Sequence, residues 1–311
     1  MKPRRSILSV PGQIAKMHAK AAASAADVIM LDLEDSVPLD AKPAARAQVI
    51  TSITQLDWHN KVLTVRINGL DTPFGYRDLL EIGEAAPTQL DAVVIPKVND
   101  AGDIHFVDRM LAGVEMHSAS DHTIGIEASI ETAQGLAQVN SIASASKRLK
   151  ALVFGIADYS ASVGARLISI SGHGEMEEQI YPGHRWHFAI SRMVMAAKAR
   201  GMLAIDAPYG NFQDTDGLRR SAAIACALGC DGKWAIHPAQ IDTINRTFTP
   251  SLEEIERAAK VLAAFQQADA NQRGAMAVEG RMVDQATLRL ARRLYAQAQD
   301  LGLAPEGYTQ K

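Results

Sequence analysis

The sequence is short of cysteine, of charge imbalance and of long apolar runs, and each shortage removes a class of protein. Its two cysteines, Cys226 and Cys230, cannot build a disulfide framework. Four apart in a helical pattern and without companions, they suit a packed thiol better than a C-x-x-C redox or metal motif. Lys plus Arg number 32 and Asp plus Glu 35, a net charge of −3, so the basic stripe of a nucleic-acid binder is missing. No apolar run reaches about 18 residues, and no membrane span is expected. The basic opening Met1-Lys2-Pro3-Arg4-Arg5 is followed only by Ile7-Leu8-Ser9-Val10 before Pro11-Gly12, too short a core for a secretory signal. A cytoplasmic location is the default expectation. Pro11-Gly12-Gln13 stands where a dinucleotide fold would place G-x-G-x-x-G, and no G-x-x-x-x-G-K-[ST] occurs anywhere, against Rossmann and P-loop readings.

What is present is a rhythm. The chain has 311 residues, 47% of them apolar and 22% charged, the balance of a globular protein with a full-sized core. Short β-branched runs recur at Ser6–Val10, Val28–Leu33, Val62–Ile67, Ala92–Ile95, Thr123–Ile130, Leu152–Ile156, Met202–Ile205 and Lys233–Ile236. Ala- and Leu-rich helical stretches separate them, among them Ile14–Ala26, Ala41–Ile53 and Gly217–Leu228. Eight such units predict an α/β fold, a (β/α)8 barrel, over 1–250. Beyond it, 251–311 reads as a C-terminal helical extension or lid. Ser251 is placed to cap a helix over 251–268 with an Ile255, Ala259, Leu262, Phe265 stripe. A polar stretch over 269–280 precedes a last helix, Gln285–Asp300. A second long loop is expected over 171–183.

Seven of the eight strand ends carry a charged or hydrogen-bonding residue: Asp32 with Glu34 and Asp35, Arg66 with Asn68, Lys97, Glu131, Asp158, Asp206 and His237. In a barrel those ends converge on one face, the place of catalysis. Glu131 and Asp158 follow consecutive strands, about 4.8 Å apart. At that spacing two carboxylates can chelate a hard cation that keeps open positions, as Mg2+ does. They also suit a glycosidase-like acid/base pair, or two helix caps. Arg66 offers a planar, fixed cation for a carboxylate, a thioester oxygen or a developing enolate; a salt bridge to Asp32, Glu34 or Asp35 is compatible with that. Lys97 suits a phosphate or a neighbouring acid. Glu127, four before Glu131, shares its side of the strand. His184-Arg185-Trp186-His187 gives H-x-x-H without the rest of a zinc motif. Trp234 and Phe248 read as packing residues.

Several longer stretches resemble a known family. They are Leu31-Asp32-Leu33-Glu34-Asp35-Ser36-Val37, Val65-Arg66-Ile67-Asn68-Gly69-Leu70-Asp71-Thr72-Pro73, Ile95-Pro96-Lys97-Val98, Ile130-Glu131-Thr132-Ala133-Gln134-Gly135, Phe154-Gly155-Ile156-Ala157-Asp158, Gly232-Lys233-Trp234-Ala235-Ile236-His237-Pro238, Phe248-Thr249-Pro250-Ser251 and Gly280-Arg281-Met282-Val283-Asp284. In that order they resemble the citrate lyase β-subunit-like (HpcH/HpaI aldolase/citrate lyase) family, most nearly its malyl-CoA and β-methylmalyl-CoA lyases. The resemblance implies Mg2+, with Mn2+ as a substitute, on Glu131 and Asp158, and catalytic roles for Arg66, Asp284, Glu34 and Asp35. It implies a coenzyme A thioester over the mouth near Lys20, Lys97, Ile236 and Pro238. It also implies a homotrimer or hexamer in which the C-terminal segment brings Asp284 to a neighbour's site. One departure stands at the first strand, where Ser9 and Ile14 replace the family's usual aromatic and Arg near the coenzyme.

The reaction implied is reversible, Mg2+-dependent cleavage of a malyl-CoA-like β-hydroxyacyl-CoA to acetyl-CoA and an α-keto acid, glyoxylate. The partners implied are small molecules, an acyl-CoA and an α-keto acid, with no nucleic acid and no membrane. The alternatives are citramalyl-CoA lyase (acetyl-CoA plus pyruvate), a citryl-CoA lyase or citrate lyase β-subunit, an acyl-CoA thioesterase, and a non-catalytic CoA-binding barrel.

Overall fold

The computed structural model describes residues 2–165, 185–269, 276–278 and 281–304. The chain divides into two compact units, Arg4–Phe248 and Met1–Pro3 with Thr249–Lys311.

In the larger unit the strands are β1 (Ser6–Pro11), β2 (Val28–Asp32), β3 (Val62–Arg66), β4 (Ala92–Ile95), β5 (Gly125–Ile130), β6 (Leu149–Phe154), β7 (Leu203–Asp206) and β8 (Gly232–Ala235). All pair in parallel, in sequence order, and β8 returns to β1, closing the barrel. The helices between them are α1 (Ala15–Ala22), α2 (Lys42–Gln55), α3 (Gly75–Ala85), α4 (Ala101–His117), α5 (Ala133–Ala137), α6 (Val139–Ser144), α7 (Ile156–Ser162), α8 (His187–Lys198), α9 (Thr215–Ala227) and α10 (Ile241–Thr247). The β-branched runs form strands because both faces are covered. One set of side chains, including Ile7, Met30, Val62, Val94, Val153 and Trp234, fills the barrel. The alternate set, including Leu8, Ile29, Leu63 and Leu152, meets the helices.

This alternation sorts the strand-end residues. Ile205 and Trp234 point inward, so their neighbours Asp206 and Lys233 point to the helix layer. There the Lys233 ammonium lies 2.5 Å from Asp206 Oδ2 and donates to the Ala207 carbonyl at 2.7 Å. Asp206, expected at the mouth, is therefore a wholly buried ion-pair partner on the outside of the barrel. Glu127 points inward, two layers below Glu131, and pairs with Arg4 at the N-terminal end of the strands. Glu127 is buried and Arg4 half-buried in this pair. Cys230 is packed, whereas Cys226 is exposed, and the two form no disulfide.

The smaller unit is built on α11 (Leu252–Asp269) and α12 (Gln285–Asp300), with the antiparallel pair β9 (Met276–Val278) and β10 (Arg281–Val283) between them in sequence. Ser251 and Glu254 form a reciprocal capping box: the Ser251 amide donates to Glu254 Oε2 at 2.7 Å and the Glu254 amide to Ser251 Oγ at 3.2 Å. Ile255 and Phe265 of the expected stripe are buried against Leu288 and Tyr295 of α12, with Ala259 and Leu262 partly buried. No helix of the described residues is long and apolar enough to cross a membrane.

Candidate active site

The site begins with the pairing of β2 and β3. Asp32 and Arg66 are register partners and both face inward, so a forked ion pair forms: Arg66 Nε donates to Asp32 Oδ1 at 2.6 Å and Arg66 Nη2 to Asp32 Oδ2 at 2.7 Å. Burial opposes ionisation of Asp32, but the guanidinium charge and these bonds outweigh it and hold the carboxyl below its usual range. The same pair keeps Arg66 charged despite its burial. Below the guanidinium lies the Trp234 ring, 5.4 Å from Arg66 Cζ to its centroid, a cation–π seat. The remaining edge of Arg66, Nη1, is 2.9 Å from Glu34 Oε2 and 3.6 Å from Asp35 Oδ2.

Lys97 joins this group to the two proposed metal carboxylates. Its backbone has φ +50°, the left-handed region that L residues seldom adopt. In that conformation its amide donates to Glu131 Oε1 at 2.7 Å. Its ammonium pairs with Glu34 and lies 3.7 Å from Asp35 Oδ1 and 3.6 Å from Asp158 Oδ2. Of the two partners weighed from sequence, it meets acids.

Neither Glu131 nor Asp158 is a helix cap. Thr132 caps α5, accepting from the Gly135 amide, which leaves Glu131 free to point into the barrel, buried. Asp158 is in the first turn of α7 rather than at a strand end, because β6 stops at Phe154; it is half-exposed. Gly155 lies between them, and a Cβ built there would stand 1.9 Å from Glu131 Oε2. Glycine is what allows Glu131 its position.

The donors fit a hard divalent cation. Five carboxylates (Asp32, Glu34, Asp35, Glu131, Asp158) surround two cations, Arg66 and Lys97. Burial, helped by Glu34 and Asp158 and opposed by Arg66, pushes the Glu131 carboxyl up to about 7. Burial likewise raises Glu34. An under-compensated acid of this kind, offering only oxygen, suits Mg2+. Among the described residues no group of three or more His, Cys, Asp or Glu side chains is spaced to hold an ion; a pair of carboxylates would leave further positions to water and substrate.

A pH dependence follows. Folded Glu131 binds its proton more tightly than an ordinary carboxyl of value 4.5. The metal-free fold is therefore favoured while Glu131 is protonated, and stability falls as pH rises from about 4.5 to about 7. In EDTA, Glu131→Gln should remove that part of the decline in Tm, measured from pH 4 to 8 for both proteins.

The other expected residues of the larger unit form no ion pair with this cluster among the described residues. Lys20 is exposed on the last turn of α1. Ile236 is half-buried, its amide held by Gln240 Oε1 at 2.8 Å, and Pro238 is exposed at the start of a 3-10 turn over Pro238–Gln240. His237 caps that turn and stacks on Phe212 at 4.6 Å. Asn68 is held by Asp78, to whose Oδ2 its Nδ2 donates at 2.6 Å. Ser9 is half-buried in β1 and Ile14 is exposed just before α1. Asp284, in the smaller unit, caps α12, its Oδ1 accepting from the amides of Thr287 at 2.9 Å and Ala286 at 3.0 Å. The Thr287 bonds hold its carboxyl below the usual range. His187 is exposed, while His184, residues 171–183 and Gly280 lie outside the described residues.

Sequence reasoning missed Lys42 and Arg46 of α2, both buried behind the mouth. Arg46 Nε donates to Asp78 Oδ1 at 2.6 Å, and Lys42 Nζ donates to the carbonyls of Leu33 and Glu34 at 2.9 Å each. A signal was available: a lysine opening a helix opposes the helix dipole.

The family model described as HpcH/HpaI aldolase/citrate lyase matches residues 5–238. The chain is 42% identical over 303 residues to the L-malyl-CoA/beta-methylmalyl-CoA lyase of Cereibacter sphaeroides (strain ATCC 17025 / ATH 2.4.3), covering 96% of this chain and 95% of that one. It is 34% identical to a (3S)-malyl-CoA thioesterase of Cereibacter sphaeroides (strain ATCC 17029 / ATH 2.4.9), over 96% and 95% of the two chains. Among solved structures it is similar to protein CitE from Mycobacterium tuberculosis in complex with magnesium, acetoacetate and coenzyme A, with TM-score 0.75 and 31% identity over 96% of this chain and 98% of that one.

Proposed function

Because the chain belongs to the HpcH/HpaI aldolase/citrate lyase family, we propose that it is a Mg2+-dependent carbon–carbon lyase. It reversibly cleaves a malyl-CoA-type β-hydroxyacyl thioester to acetyl-CoA and glyoxylate. The observation that carries this reading is the convergence of Arg66, Glu131 and Asp158, through Lys97 and Glu34, at the mouth of a chain so similar to a malyl-CoA lyase.

Glu131 and Asp158 would hold the ion, and Mn2+ would find the same oxygen donors. When bound, the ion supplies Lewis acidity toward the substrate's hydroxyl and neighbouring carboxylate oxygens. Breaking the carbon–carbon bond places negative charge on the thioester oxygen. Arg66 is built to receive it: permanently charged, buried, and fixed by Asp32 on one edge while its Nη1 edge faces the acids at the mouth. A charge held in place before reaction favours the transition state over the ground state. Glu34 and Asp35 sit against that edge and against Lys97, where they orient both cations and can relay the hydroxyl proton. Coenzyme A is assigned to the mouth near Lys97, Ile236 and Pro238, with Lys20 reaching its distal part. On the family resemblance, 251–311 is assigned as a lid that brings Asp284 to a neighbouring subunit's site, within a trimer or hexamer, to exchange a proton with the acyl carbon.

A thioesterase is the second reading, favoured by the 34% identical relative of that name. The test incubates acetyl-CoA and propionyl-CoA with glyoxylate, pyruvate or oxaloacetate, with Mg2+ and with EDTA, and reads condensation by mass spectrometry. Malyl-CoA from acetyl-CoA and glyoxylate, lost in EDTA, is the expected result. Product from pyruvate alone would make the enzyme a citramalyl-CoA lyase. Free CoA released from malyl-CoA without glyoxylate would make it a thioesterase, and no turnover at all would end the lyase reading.

A further inference from the structure

We propose that Lys42 is a positioning residue of this site: its buried ammonium holds the Leu33 and Glu34 carbonyls and so fixes the segment that presents Glu34 to Arg66 and Lys97. Lys42 is the first residue of α2; a 3-10 turn over Leu39–Ala41 leads into it and the Lys42 amide donates to the Leu39 carbonyl, but the positive end of the helix dipole still disfavours a cation in this first turn. It is buried, at 7% exposure, which disfavours its charge again. Burial pulls its pKa below the lysine range, opposed by Asp32, Glu34, Asp78 and Asp35. Its hydrogen bonds go to two main-chain carbonyls, each at 2.9 Å, and not to a carboxylate. A residue that is unfavourable in helix position and in burial is explained by what it holds.

What it holds is the turn after β2. The amide side of that turn is fixed from within: Leu33 N donates to Arg66 O at 2.9 Å, Glu34 N to Asp32 Oδ1 at 3.0 Å and Ser36 N to Asp32 Oδ2 at 3.2 Å. Lys42 supplies the carbonyl side from α2. The turn is thus gripped on both edges, and the Glu34 side chain emerges beside Arg66 Nη1 and the Lys97 ammonium. Among the described residues Lys42 forms no ion pair, so it acts on Arg66 and Lys97 through Glu34. A lysine suits the task because a long stem delivers three rotatable donors, and its charge favours the ionised forms of the acids around it.

The kinetic arm rests on the lyase reading; the exchange arm does not. Full-length Lys42→Met, Lys42→Arg and Lys42→Gln are compared with wild type by hydrogen-exchange mass spectrometry and steady-state kinetics, alone and with Glu34→Gln. In Lys42→Met we expect faster exchange confined to residues 33–37, and kcat lower by about 10–100-fold, the usual scale for a residue behind the reacting groups. KM for the thioester should stay within about twofold. Lys42→Arg should recover most of kcat, and Lys42→Gln serves in place of Lys42→Met if that variant does not fold. In the Glu34→Gln background the loss should nearly vanish, because the two changes act through one group. Unchanged exchange at 33–37 overturns the proposal, as does an undiminished kcat loss beside Glu34→Gln. If wild type shows no lyase turnover, the functional reading fails and the exchange arm alone decides for or against Lys42.

Discussion

Arg66→Ala should reduce turnover by about 10²–10³, the loss seen when a preorganised charge-stabilising group is removed, and should destabilise the fold in the same protein. The second effect comes from Asp32. Two of the guanidinium bonds end on that carboxylate, which is 1% exposed. Removing the cation leaves a buried acid without its partner, a change that costs about 3–5 kcal/mol. Kinetics and urea denaturation must therefore be read together. Arg66→Lys separates the two effects: it retains a positive charge but loses the fork, so it should keep more of the stability than of the rate. Wild-type-like turnover by folded Arg66→Ala would remove Arg66 from the mechanism.

Gly155→Ala is expected to be nearly as damaging, although it adds a single methyl group and Gly155 has an ordinary φ of −107°. The added Cβ would stand 1.9 Å from Glu131 Oε2 and also 2.5 Å from Glu131 Cβ. Rotating the carboxylate relieves the first clash and not the second, so the strand end bearing Glu131 must shift. Divalent-ion affinity, measured by Mn2+ titration, should fall on the order of 10–100-fold, as for other disturbances of a metal site's support, and turnover with it. Gly155→Ala with wild-type Mn2+ affinity would show that Glu131 does not need its place beside β6.

The barrel was legible because eight β-branched runs alternate with helical spacing, and most strand residues are buried against either the interior or the helix layer. Strand limits were blurred where polar residues enter a strand. β6 begins at Leu149, three residues before the Leu152 expected, because the exposed Lys150 interrupts the apolar run. Arg66, Glu131 and the acids after β2 were readable as strand-end residues. Asp158 was found as an acid but placed on a strand, since Gly155 hides the start of α7. Asp206 looked equivalent to the rest; only inward–outward alternation, fixed by the register with β8, sends it to the helix layer. Arg4 resembled part of a basic tail, and its partnership with Glu127 spans 123 positions, a separation that no local pattern encodes. β9 and β10, of three residues each, were too short to register.

The Arg4–Glu127 pair also bears on which way traffic can run. It ties β5 to the chain start at the end of the strands opposite Glu131, and Ile7, Met30, Val62, Val94, Val153 and Trp234 pack the space above it. A barrel interior filled with side chains is a core and not a channel, so whatever the acids and cations at the strand ends take in or give up crosses that one face.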